Sequence, residues 1–90
     1  MIINMKQGIL YKTTGIYVKK HILTPSEKKL IGMLSNNKWI TYDEINKFVY
    51  KNELTVAEVK NNIVELQKRF GVYASLNKYR AKIRDVIAIS

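Results

Sequence analysis

The sequence predicts an α+β fold with a small antiparallel sheet at the N-terminus, three helices and a C-terminal β-hairpin. The first 23 residues are rich in β-branched and aromatic side chains, a composition typical of strands. Three threonines each precede an apolar stripe at helical spacing, and each is followed by glutamate three positions later. After Gly71, two β-prone runs flank a basic stretch, which indicates a hairpin.

The third predicted helix, residues 55–70, has the strongest pattern in the chain. Its apolar residues lie three or four positions apart and form one stripe, Val56, Val59, Ile63, Leu66 and Phe70. Thr55 and Glu58 form a capping box at its start, and Gly71 suits a left-handed C-cap. The opposite face carries amides and charges. In a basic protein this indicates a DNA-recognition helix, although most such faces are only the solvated side of a core helix.

Two further capping boxes predict the other helices. They are Thr24 with Glu27 before a helix over residues 25–36, and Thr41 with Glu44 before a helix over residues 42–50. Pro25 occupies the first helical position, where its missing N–H is not needed. The side chains expected to face the core are Leu30, Ile31, Met33 and Leu34 in the first helix and Ile45, Phe48 and Val49 in the second.

The strands are expected at both ends of the chain. In residues 1–23 they are predicted near 9–12, 15–19 and 21–23, with a leading strand in 2–6 and a turn at Thr13-Thr14-Gly15. Residues 72–89 are predicted to form a hairpin in which VYASL pairs with VIAIS around the basic tip NKYRAKIRD. No linker or internal repeat divides the sequence, so we expect a single domain over residues 1–90.

The charge balance indicates an anionic partner. The net charge is +9, and the two ends hold most of it, since residues 1–23 contain four lysines and no acid. There is no cysteine, and His21 is the sole histidine, so we expect no metal site and no cofactor. No arrangement of nucleophile and base suggests an enzyme. No secretory signal or membrane-spanning run is apparent, so we expect a cytoplasmic protein.

The order of these elements carries a resemblance to a known family. Leu23-Thr24-Pro25-Ser26-Glu27, with Leu30 and Leu34 after it, is followed by ITYDEINKFVY, by the apolar register of the third helix and by the terminal hairpin. Over roughly residues 8–90 this resembles a winged helix-turn-helix, and it is most similar to the effector domains of OmpR/PhoB-type response regulators, with their "LTPxE…LL" opening. The resemblance implies double-stranded DNA as the partner. The third helix would lie in the major groove, and the hairpin, as the wing, over the minor groove or the flanking backbone.

The resemblance also implies which residues contact the DNA. The outward residues of the third helix are Lys60, Asn61, Asn62, Glu65 and Lys68. Among them, asparagines can bond adenine in a bidentate way. The residues expected on phosphate near the start of the second helix are Trp39, Thr41 and Tyr42, because a helix N-terminus attracts anions. The wing residues are Asn77, Lys78, Tyr79, Arg80 and Lys82.

The sequence departs from the family in three respects. No receiver domain is seen, so no phosphorylation switch is expected. Glu65 stands where the family usually has a basic residue, although a carboxylate can accept from a cytosine amino group. The wing lacks the usual Gly-x-Gly-Tyr and has a longer basic segment in its place. Because residues 72–90 carry a net +3 and residues 55–71 only +1, we expect the wing to contribute more affinity than the third helix.

Two biological roles fit such a small DNA-binding protein. One is transcriptional regulation. The other is an accessory role in DNA processing on a plasmid or other mobile element, at an origin of transfer or replication. Lysine outnumbers arginine and isoleucine and asparagine are plentiful, as in AT-rich genomes, and the small size is similar to that of relaxosome accessory proteins of conjugative plasmids. We therefore favour the second role.

The partners remain open at this level. Protomers could pair as a homodimer on repeated half-sites, and other DNA-processing proteins could join them. The alternative of another class is a protein–protein scaffold, because a fold does not determine a function. A membrane-surface role is disfavoured, since no helix combines a basic face with a large exposed apolar face.

Overall fold

The computed structural model describes all 90 residues, and its three helices lie where the capping motifs predict them. The elements in chain order are β1 Ile2–Asn4, β2 Ile9–Thr14, β3 Tyr17–Ile22, α1 Pro25–Leu34, β4 Ile40–Thr41, α2 Tyr42–Tyr50, α3 Val56–Phe70, β5 Tyr73–Leu76, β6 Arg80–Arg84 and β7 Ile87–Ile89. The fold is α+β, with the strands in two sheets. None of the helices combines the length and the apolar composition that crossing a membrane requires.

A threonine hydroxyl satisfies backbone N–H groups at the start of each helix. Thr24 and Thr55 begin α1 and α3 with complete capping boxes. The Thr41 hydroxyl accepts the Glu44 N–H at 3.2 Å, but no bond returns from the Glu44 side chain. Thr41 also belongs to β4, where it pairs with Arg80. The second box is thus only half formed, at a residue whose backbone also lies in a sheet.

The end of α1 lies two residues before the predicted one, at Leu34. Ser35 is already extended, and its backbone N–H closes the last helical turn. Asn36 and Asn37 have φ values of 61° and 59°, a conformation that asparagine adopts more readily than most residues. Their N–H groups donate to carbonyls in and just after β6, so the end of α1 is fastened to the C-terminal strands.

The two ends of the chain meet in a four-stranded sheet with the order β3-β2-β1-β7. The leading strand β1 pairs antiparallel with β2, which pairs antiparallel with β3. The predicted strands at 15–19 and 21–23 are one strand, and the turn is Gly15-Ile16 rather than residues 13–15. The β-branched Thr13 and Thr14 extend β2, and Gly15 supplies the positive φ of 62° that the turn needs.

The segment predicted as a basic hairpin tip is itself mostly strand. β6 pairs antiparallel with β5 and with β4, and the three strands form a sheet with the order β4-β6-β5. Its alternation places Ala81 and Ile83 in the core, both fully buried. The prediction that residues 86–90 complete this hairpin is wrong, because β7 pairs in parallel with β1 in the other sheet. We call β5, β6 and their connection the C-terminal hairpin.

One core of 18 buried side chains joins the helices and both sheets. α3 contributes its predicted stripe except for Val56, which lies at the N-terminal end of the helix and is 43% exposed. In α2 the inward residues are Tyr42, Ile45 and Val49. The prediction that Phe48 faces the core is wrong: it is 61% exposed, because it lies about 90° around the helix from that stripe.

The turn between α2 and α3 is held by the Asn46 side chain. Its Nδ2 donates to the Leu54 carbonyl at 2.6 Å, and its Oδ1 accepts the Leu54 N–H at 3.2 Å. Lys51 and Asn52 adopt positive φ values of 54° and 61° between these anchors. This side chain ties α2 to the residue just before the N-cap of α3, and therefore helps to position the helix pair.

Candidate nucleic-acid interface

Tyr42, the first residue of α2, connects α3 to the C-terminal hairpin. Its hydroxyl donates to the Asn77 carbonyl at 2.5 Å, and its backbone N–H donates to the Tyr79 carbonyl at 3.0 Å. The Lys60 Nζ of α3 lies 5.3 Å from the centre of its ring. We call this arrangement the Tyr42 joint. It brings the N-terminal half of α3 beside the hairpin connection.

The expectation that Tyr42 contacts phosphate is wrong. The residue is 2% exposed, and both its hydroxyl and its backbone N–H are already bonded within the protein. Burial raises the pKa of its hydroxyl above the ordinary value, and the bond to Asn77 only partly offsets this. Tyr42 is therefore a structural residue beneath the surface that was predicted to include it.

The hairpin connection is organised by Asn77. Its Oδ1 accepts the backbone N–H groups of Tyr79 and Arg80, both at 2.9 Å, and its own N–H donates to the Arg80 carbonyl. Asparagine side chains commonly close turns in this way. The Asn77 side-chain oxygen therefore forms the turn, and the DNA contact expected at this exposed residue stays a prediction for its amide nitrogen. Lys78 and Tyr79 are left projecting, with the Lys78 Nζ 5.5 Å from the Tyr79 ring.

Trp39 is covered by two cations from β6. The Arg80 Cζ lies 4.9 Å and the Lys82 Nζ 4.7 Å from the centre of its ring. Trp39 precedes β4, which pairs with β6, so the contact follows from the register of the sheet. The nearby Thr41 is half-buried, and its hydroxyl oxygen is engaged in capping α2. Of the residues predicted to contact phosphate near the start of α2, Trp39 is therefore a ring covered by cations and Thr41 is a helix cap.

On α3 the structure separates two adjacent asparagines that were predicted to act together. Asn61 is exposed on the outward face, opposite the buried stripe. Asn62 lies about 100° further around the helix, and it lines a cleft between α3 and the start of α1 that also includes Tyr50 and Arg69. Only Asn61 occupies the position predicted for a base reader.

Two ion pairs involve other charged residues of α3, one on its outward face and one on its flank. The Lys68 Nζ lies 3.7 Å from a Glu65 carboxylate oxygen on the outward face. The Arg69 guanidinium donates to Glu27 of α1 at 2.8 Å on the flank. The carboxylate of Glu65, which is unusual for the family that the sequence resembles, is therefore balanced within the helix. The pairing also reduces the net positive charge that α3 presents.

No other ion pair forms in the molecule. Four cations around the Tyr42 joint are consequently without a carboxylate partner: Lys60, Lys78, Arg80 and Lys82. Two of them lie over Trp39, one over Tyr42 and one over Tyr79. The surface thus combines unneutralised positive charge with an outward amide.

Two residues of this region are not among the contacts predicted from the sequence. Arg84 lies on the same face of β6 as Arg80 and Lys82, and Tyr73 stands directly opposite Arg84 on β5. The strict alternation of basic and apolar residues in RAKIR was the signal that could have found Arg84. Arg84 is not among the predicted contacts because a segment predicted as a turn, unlike a strand, does not place alternate residues on one face.

None of the known protein-family models, curated proteins or solved structures matches this chain. No group of three His, Cys, Asp or Glu side chains is placed to hold a metal ion. The groups that the surface presents are unpaired cations, exposed aromatic rings and one outward amide.

Proposed function

We propose that this chain is a winged helix-turn-helix protein that binds specific double-stranded DNA. The single observation that supports this best is the Tyr42 joint, which holds α3 and the C-terminal hairpin against each other. A helix fits the major groove of B-DNA, and a rigidly attached hairpin beside it reaches the adjacent backbone or minor groove. The hairpin is the wing in this proposal.

Sequence preference comes from α3 through few contacts. Asn61 is the outward amide and can bond adenine N6 and N7 together. Lys68 is already paired with Glu65 on the exposed face, so it must break this ion pair in order to contact a phosphate. α3 therefore supplies discrimination between bases and relatively little electrostatic affinity.

The C-terminal hairpin supplies most of the affinity. Lys78, Arg80 and Lys82 have no carboxylate partner, and the contacts to Trp39 and Tyr79 hold their side chains near the hairpin surface. Cations that are already ordered lose less side-chain entropy when they contact phosphate. This supports the expectation that the wing outweighs the recognition helix.

The biological role that we favour is accessory DNA processing on a plasmid or other mobile element, at an origin of transfer within a relaxosome. Its support is compositional: lysine in excess of arginine, abundant isoleucine and asparagine, and a small binding domain. Transcriptional regulation uses the same interface and differs only in where the bound site lies. Mapping the selected motif to a promoter or to a transfer origin separates the two roles.

A protein–protein scaffold is the alternative that one observation favours. The edge strand β3 and the turn before it expose apolar side chains along their length, including Ile16, Tyr17, Val18 and Ile22. Exposed apolar groups in a row are typical of surfaces that contact another protein. In a scaffold, however, the unpaired cations of the C-terminal hairpin would have no assigned partner.

The decisive experiment is selection of bound sequences from a random duplex library at physiological salt, followed by affinity measurements on the enriched motif. We expect one enriched motif, and a direct or inverted repeat within it would show that protomers pair on half-sites. Absence of enrichment, together with negligible duplex affinity at physiological salt, would overturn the proposal and leave the scaffold as the better explanation.

Matched variants then test how the interface works. Asn61→Ala should relax base preference, whereas Asn62→Ala, the same change on the flank of α3, should not. Substituting Lys78, Arg80 and Lys82 with alanine should weaken every duplex and lower the slope of log affinity against log salt by about 0.9 per lost phosphate contact, or about 2.7 in all. If Asn61→Ala weakens binding far more than the triple substitution, the predominance of the wing is wrong.

A further inference from the structure

The outer face of the C-terminal hairpin sheet is a separate surface from the outward face of α3. Its cations lie at alternate positions of β6, Arg80, Lys82 and Arg84, while the residues between them are buried. Across the sheet, Ser75 stands opposite Lys82 and Tyr73 opposite Arg84. With Trp39 these residues form what we call the cationic sheet face.

The positive charge of this face is uncompensated. None of its three cations forms an ion pair, and neighbours on one side of a strand are about 7 Å apart. Like charges at this spacing repel one another in the free protein, and a chain of anionic groups running along the strand would relieve the repulsion. Charge complementarity therefore indicates a polyanion that lies along β6.

The aromatic residues indicate which polyanion it is. Tyr73 is 60% exposed beside Arg84, and Trp39 lies under the Arg80 and Lys82 side chains. In a duplex the faces of the bases are already stacked on one another, so they cannot stack on exposed rings of an open sheet. Unpaired bases, in contrast, stack on aromatic rings and on guanidinium planes.

We propose that the cationic sheet face binds single-stranded DNA. Arg80, Lys82 and Arg84 contact successive phosphates, while bases stack on Tyr73 and on the guanidinium of Arg80 over Trp39. This goes beyond the proposed duplex interface and shares Arg80, Lys82 and Trp39 with it. Tyr73 and Arg84, at the base of the hairpin, belong to the single-strand site alone, which makes the two activities separable by mutation.

The test uses the 90-residue chain and an oligo(dT) strand of about 16 nucleotides, the upper end of the site sizes of single-strand-binding OB folds. Trp39 is the single tryptophan of the chain, so quenching of its fluorescence reports on this face directly. Anisotropy of a labelled strand gives the affinity independently. We expect saturable quenching at physiological salt, and about a tenfold or greater loss of affinity in the double variant Tyr73→Ala/Arg84→Ala.

Two controls separate this result from general effects of charge or folding. Tyr17→Ala/Lys19→Ala removes one exposed tyrosine and one cation from β3, and it should leave the oligo(dT) affinity within about twofold. Circular dichroism checks that both double variants remain folded. Asn61→Ala should alter selection among duplexes and leave oligo(dT) binding unchanged, so a failed duplex proposal and a failed single-strand proposal give different results.

Three results would overturn the inference. One is the absence of quenching by oligo(dT) at physiological salt. Another is an equal loss of affinity in the β3 control, which would show that only net charge matters. The third is a loss of duplex affinity in Tyr73→Ala/Arg84→Ala as large as the loss for oligo(dT), which would make this face an extension of the duplex interface.

Discussion

The Tyr42 joint can be tested by removing a single oxygen atom. Tyr42→Phe eliminates the hydroxyl that donates to the Asn77 carbonyl at 2.5 Å, while the ring remains in the core and under the Lys60 ammonium. The backbone bond from residue 42 to the Tyr79 carbonyl also remains. The substitution therefore isolates one link between the helices and the hairpin connection.

The size of the effect follows from the surroundings of the two partners. A neutral hydrogen bond contributes about 1 kcal/mol, and a fully buried acceptor left unpaired increases the loss to about 2 kcal/mol or more. The bond is only part-buried and Asn77 is an exposed residue, so we expect water to replace the hydroxyl at its carbonyl. We therefore expect about 1 kcal/mol of lost stability, which for a domain of this size lowers Tm by about 4–8 °C.

Urea unfolding followed by circular dichroism measures this loss, and duplex binding measures its consequence. Affinity for the selected duplex should fall by no more than about fivefold, the equivalent of the same 1 kcal/mol, because the freed hairpin connection must be ordered again on binding. The matched control for stability is Tyr79→Phe, because the Tyr79 hydroxyl is exposed and makes no hydrogen bond. Its free energy of unfolding should change by less than about 0.5 kcal/mol. Equal unfolding midpoints for the two variants would refute the structural role of Tyr42.

Three further predictions concern stability. Gly71→Ala should destabilise the protein by about 1 kcal/mol in urea unfolding, because Gly71 has φ +67° and an added Cβ would crowd the Lys12 Nζ; Gly71→Asn, which tolerates this conformation, should lose less. Thr55→Ala removes the cap of α3 and should lower the free energy of unfolding by about 1 kcal/mol, whereas Ser26→Ala on the exposed start of α1 should not. Burial raises the pKa of the Tyr42 hydroxyl in the folded state, so above about pH 10 the folded protein keeps a proton that the unfolded chain releases. The contribution of Tyr42 to the free energy of unfolding is therefore complete below that pH and is lost as pH rises through the folded pKa. Wild type should therefore lose more stability than Tyr42→Phe between about pH 9 and pH 11, and equal losses would contradict the raised pKa.

Local sequence signals predicted the helices because each depends on neighbouring residues. The threonine caps and the spacing of the apolar stripe in α3 act within a few residues, so they predict where helices begin and which face is buried. The prediction failed for Phe48, because the inward stripe of α2 consists of Tyr42, Ile45 and Val49 and Phe48 lies about 90° around the helix from it. Nothing in the local sequence indicates that the Tyr42 hydroxyl donates to the carbonyl of Asn77, 35 residues later in the chain.

Strand partners were decided by tertiary contacts. VIAIS is as compatible with β5 as with any other strand, and only the assembled molecule shows that β7 lies parallel to β1. Pairing between distant segments depends on which sheet edge is free once the helices have packed, and this is not encoded in a local pattern. The same long-range pairing of β6 with β4 brought Arg80 and Lys82 over Trp39.

The sequence by itself determined the α+β class, the three helices and their caps, the buried stripe of α3 and the positive charge of the two ends. Each of these follows from composition or from interactions within a few residues. Only the tertiary structure decided that Asn62 lines a cleft against the start of α1, that Tyr42 is a buried connection, and that the basic alternation in β6 forms a continuous face with Tyr73. The physical reason is that a side chain's role in recognition depends on what packs behind it and across from it, and those neighbours come from distant parts of the chain.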